Sequence, residues 1–135
     1  MIHGAIYRKT DGRITMGVIA TDEAGISAQV YGQEDELAWL IADEKVECEL
    51  HCVVDGAIAN RPPFPGVFPA SDEIAVNQVW AVTNLPNNTR VIHAAGAAIV
   101  NDGHIEWSCI EPGQYRFMFD CFPYRMITKT VTVVA

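Results

Sequence analysis

The chain has 135 residues, half of them apolar, with 9 Lys and Arg against 17 Asp and Glu for a formal charge of −8. That length gives one domain or two small lobes with a core needing neither metal nor disulfide, and the apolar content argues against a disordered chain. A pI near 4.8 excludes a sequence-independent grip on nucleic acid and disfavours anionic membrane surfaces, because both need clustered Lys and Arg.

The first element is a hairpin. Asp11-Gly12, between the β-prone stretches Ala5 to Arg8 and Arg13 to Ala20, is a strong turn signal because Gly takes the positive φ the turn needs. Thr21-Asp22-Glu23 then offers a cap and two acids for a short helix ending by Gly32. Glu36 to Ala42 reads as a strand and Val46 to Val54 as its partner, since Val46, Cys48, Leu50, Cys52 and Val54 alternate with polar residues. Asp55-Gly56 turns into a short strand from Ala57 to Arg61.

From Pro62 to Asp72 the chain carries four prolines, which deny backbone donors to any sheet. This segment is expected to bound two lobes, as a semi-rigid linker or an arm laid across a neighbouring subunit. Beyond it, strand signals run Ile74 to Thr83, Arg90 to Ala95, Ala97 to Asn101, His104 to Ile110, Gln114 to Phe122 and Ile127 to Val134. Leu85-Pro86-Asn87-Asn88, Asp102-Gly103 and Glu111-Pro112-Gly113 punctuate them, and Tyr115, Phe117, Phe119 and Cys121 form one aromatic-rich face suited to a core. The expected fold class is mainly β. A small hairpin or α-β lobe with one short helix covers 1–61, the Pro/Phe-rich segment 62–73, and a compact antiparallel Ig-like β-sandwich 74–135.

Chemistry-bearing residues are sparse. Four Cys (Cys48, Cys52, Cys109, Cys121) and four His (His3, His51, His93, His104) occur, but only Cys48, His51 and Cys52 cluster, without the second knuckle a structural zinc site needs. Met1-Ile2-His3-Gly4 lacks the basic and apolar regions of a signal peptide, so free thiols in a reducing cytosol are expected. Cys52 or Cys109 with His93 or His104 could pair as nucleophile and base, yet neither Cys precedes a nucleophile elbow or a helix N-terminus. Acidic pairs at Glu34-Asp35-Glu36, Asp43-Glu44, Glu47 with Glu49 and Asp72-Glu73 match no calcium loop and read as a solvated face. Trp39, Trp80 and Trp107 could form a platform for carbohydrate or peptide, with burial the default. No apolar run approaches the roughly 18 residues that span a bilayer. No catalytic, cofactor-binding or metal residue is assigned.

Laid end to end, these signals resemble a group of small tail-associated structural proteins of tailed bacteriophages. The resemblance is carried by Ile6-Tyr7, Thr10-Asp11-Gly12-Arg13-Ile14, Asp55-Gly56, Ile58, Arg61-Pro62, Leu85-Pro86, Gly96, Asp102-Gly103, Glu111-Pro112-Gly113-Gln114-Tyr115-Arg116 and Phe122-Pro123-Tyr124. Asp11 at the turn, the longer segment 62–69 and the extra Cys depart from that pattern. The resemblance implies a non-enzymatic virion component without cofactors, assembled in the bacterial host cytoplasm. It would act as a tail or fibre adaptor, oligomeric in the particle and bound to tail, fibre, portal or capsid proteins. Capsid decoration, or a β-sandwich binding module, are the alternatives.

The charge is uneven. Residues 1–74 hold 5 basic and 13 acidic side chains, whereas 75–135 hold 4 of each.

Overall fold

The computed structural model describes all residues, 1–135, and the chain divides into two compact units, Met1–Pro62 and Pro63–Ala135. It is mainly β, with several antiparallel sheets and a small helical segment. No helix is long and apolar enough to cross a membrane.

In the first unit, β1 (Ile2–Arg8) and β2 (Ile14–Ala20) form the hairpin that Asp11-Gly12 predicts. The Arg13 amide and the Arg8 guanidinium both donate to the Asp11 carboxylate, tying the turn on its outer side. Burial opposes ionisation of Asp11, but these two donors and the charges of Arg8 and Arg13 outweigh it and hold the carboxyl below its ordinary range. Gly12 has φ +79°, and its carbonyl accepts from the Val53 amide at 2.8 Å.

Asp22 caps α1 (Glu23–Ser27), its carboxylate accepting from the Gly25 amide at 3.0 Å, and a 3-10 turn follows over Ala28–Val30. The helix is too short to persist alone. It is held by Ile26 and Val30, which are buried with Ile6 on one face of the sheet. Removing the cap with Asp22→Ala is expected to cost about 1 kcal/mol, read as a lowered urea midpoint with unchanged slope.

One expected pairing is corrected. β3 (Leu37–Ala42) pairs with β1, giving the order β2-β1-β3, and not with a Val46–Val54 strand. Residues 47–50 instead form a turn in which the Glu47 carbonyl accepts from the Leu50 and His51 amides, and the Glu47 amide donates to His51 Nδ1 at 3.0 Å. Only His51–Val54 is strand, β4, and it pairs with β5 (Ala57–Asn60) through the expected Asp55-Gly56 turn. Val46 and Val53 are buried with Ala5 and Ile14 on the other sheet face, where Cys48 and Ile58 pack against them. The sheet is thus covered on both faces. Arg61, almost fully buried, donates to the Cys48 carbonyl at 3.2 Å and anchors the turn.

In the second unit, the expected Ile74–Thr83 strand is two strands, β6 (Glu73–Ala75) and β7 (Trp80–Val82). Asn77 breaks it at φ +66°, its amide turned to the Cys109 carbonyl at 2.9 Å. Then follow β8 (Thr89–His93), β9 (Gly96–Val100), β10 (Ile105–Trp107), β11 (Gly113–Asp120) and β12 (Ile127–Val134). They form a five-stranded sheet, β6-β12-β11-β8-β9, and a two-stranded ribbon, β10-β7. All pairs are antiparallel except β6 with β12.

The core joins both sheets. Trp80 and Val82 from β7 are buried with Val91, Phe117, Phe119, Val131 and Val133 from the five-stranded sheet. The Pro-rich segment is part of this packing: Val67 exchanges two backbone bonds with Thr83, and Phe64 and Phe68 lie 5.9 and 5.2 Å from Phe119, ring centre to ring centre. The Lys129 ammonium sits 4.9 Å over the Phe68 ring.

Candidate binding cleft

Two residues past the β8–β11 register, the chain turns away at Ala94-Ala95 and leaves a cleft of about 570 Å³. β10 supplies Trp107, β11 supplies Tyr115 and Phe117, and the end of β8 supplies His93. The rings interlock: Trp107 lies 5.0 Å from Tyr115 and 5.1 Å from Phe117, edge to face with the latter, and His93 lies 5.6 Å from Phe117. Trp107 is only partly buried, so it offers surface to a ligand.

Tyr115, Cys109 and His93 are hydrogen-bonded within the cleft wall. Tyr115 O–H donates to the Glu111 carbonyl at 2.8 Å and accepts from the Cys109 thiol at 3.1 Å. With the phenol O–H turned to donate to the Cys109 sulfur, that hydrogen bond, together with burial and the charges of Cys109 and Glu111, favours the protonated phenol and pushes it up to about 12. A phenol raised above its unfolded value near 10 adds stability below pH 10 that is lost as pH rises towards 12. Tyr115→Phe is therefore expected to flatten the fall in urea midpoint between about pH 10 and 12. An equally steep fall in both proteins would contradict this. His93 Nδ1 accepts from the Ala95 amide at 3.4 Å.

The residues singled out from sequence scatter. Trp80 has no solvent exposure and cannot serve as a platform; Trp39 packs beside Ile6, Ile26 and Val30; Trp107 alone of the three lines the cleft. Cys52 is buried on β4, Cys48 packs beside Val46 and Val53, and His51 Nδ1 is taken by the Glu47 amide. No group of three or more His, Cys, Asp and Glu is placed to hold a metal ion. Cys109 and His93 do share the cleft lining, but the thiol points its hydrogen at Tyr115. His104 is exposed beside Asp102. The sequence places Tyr115 and Phe117 on a stripe suited to a core, with Arg116 beside it; that they line a cleft follows from the short pairing of β11 with β8, a register property with no sequence signature.

Compared with protein-family models, curated proteins and solved structures, the chain matches none.

Proposed function

We propose that this protein is a non-enzymatic structural component of a bacteriophage virion, acting as a tail or tail-fibre adaptor that holds other virion proteins together. The observation that carries this reading is the division into two units with separate cores and unequal charge. Such units suit two different neighbours, the acidic one facing a basic protein surface. The order of turn motifs shared with small tail-associated proteins supports the same reading. Within it, the five-stranded sheet and the β7–β10 ribbon are taken as the two layers of an Ig-like sandwich, on the ground that Trp80 and Val82 pack with the sheet's inner residues.

Mass spectrometry of purified phage particles tests the proposal. Detection at about a dozen copies or fewer per particle is expected for an adaptor in a closed ring. Copies in the hundreds, on the order set by capsid symmetry, would assign it to capsid decoration instead. Absence from particles would overturn the virion reading. Docking through the acidic unit should weaken as salt rises.

A further inference from the structure

β11 is paired with β12 from Gly113 to Phe119, whereas β8 covers only Met118 to Asp120 on its other side. No other strand is paired with residues 113–117 along that edge. In an antiparallel pair, successive residues send their N–H and C=O to opposite sides, so alternate backbone groups of this half-strand point outward. The cleft opens at this edge. Its lining takes Gln114, Arg116 and Met118 from one face of β11 and Tyr115 and Phe117 from the other, as a cavity running along a strand edge does.

We infer that the cleft is a strand-addition site, in which an extended segment of a partner protein lies antiparallel to Gly113–Phe117 and continues the line of β8. The free edge calls for an occupant with backbone donors and acceptors at strand spacing. Trp107 and Phe117 wall the core side and take an apolar side chain of that segment. Charge selects the rest. Arg116, exposed, is the one permanent charge in a lining without any carboxylate, in a chain with 17 Asp and Glu. The segment therefore carries a carboxylate opposite Arg116. The inference stands on the cleft alone and is independent of the virion reading.

The test uses the full-length chain and a blocked peptide, Thr-Val-Asp-Phe-Asp-Val-Thr, followed by amide NMR and hydrogen exchange. In the free protein, outward-facing amides within 113–117 should exchange quickly while that of Phe119 stays protected. The peptide should slow them and shift the Trp107 indole signal. Arg116→Glu, at an exposed position, should weaken this peptide about tenfold and favour its counterpart with Lys in place of Asp. Of two versions N-methylated on alternate amides, one in each register, at least one should fail to bind. The inference is overturned if both methylated peptides bind like the parent, or if the parent leaves residues 113–117 unperturbed. It is also overturned if cellohexaose shifts Trp107 while no peptide does, which would make the cleft a sugar platform.

Discussion

Replacing Trp80 by alanine is expected to lower the stability of the second unit by about 3–5 kcal/mol, among the largest effects a single core truncation produces. The side chain is wholly buried, stacks on Phe117 at 5.2 Å and 29°, and contacts the rings of Phe68 and Phe119. It belongs to the short ribbon strand β7, so its loss removes the largest fully buried side chain that the ribbon sets against the five-stranded sheet. Trp80 Nε1 is buried without a hydrogen-bond partner, and an unpaired buried N–H costs about 1–3 kcal/mol. Trp80→Phe, which removes that N–H and keeps most of the ring, should therefore lose far less than Trp80→Ala. Chemical denaturation of both variants, followed by Trp107 fluorescence, separates the two contributions. Equal losses would mean that the ring area kept by phenylalanine contributes nothing at this site.

Gly12→Ala is expected to destabilise the first unit by about 2–4 kcal/mol, combining backbone strain with a displaced hydrogen bond. At φ +79° a side chain is strained in any surroundings. Here a Cβ would also stand 2.0 Å from the Val53 carbonyl oxygen, a backbone atom that cannot rotate away. The hairpin tip must lift from β4, breaking the bond from the Val53 amide to the Gly12 carbonyl. Gly56→Ala makes the control: its φ is +77° with open space around it, so only the strain is added. A urea midpoint for Gly12→Ala no lower than that of Gly56→Ala would show that the contact with β4 contributes nothing.

These glycines also mark what the sequence made legible. Asp11-Gly12 and Asp55-Gly56 each encode their turn locally, because a positive φ and a short acid side chain are properties of two residues. The Leu85–Asn88 turn was readable for the same reason, with Asn88 at φ +65°. Pairing was not. The alternation from Val46 to Val54 fits a strand, yet a side chain four residues away, His51, captures the Glu47 amide and folds 47–50 into a turn. Likewise Phe64 and Phe68 sit among prolines that predict a linker, and their place on the second core follows from tertiary packing. Of the cleft, the aromatic stripe was visible and Trp107 was among the candidates; its opening depends on where β8 stops beside β11.

The parallel pair β6 and β12 carries a consequence in time. β12 lies inside the five-stranded sheet, between β6 and β11, although it is the last strand of the unit to be made. Hairpins β8–β9 and β11–β12 join neighbours in sequence, whereas β6 must wait for a partner roughly sixty residues downstream, a loop closure whose entropy is met only by that contact. During synthesis the unit therefore stays unclosed until its final strand leaves the ribosome, and in that interval Ile74, buried in the finished core, is exposed to any other strand edge within reach.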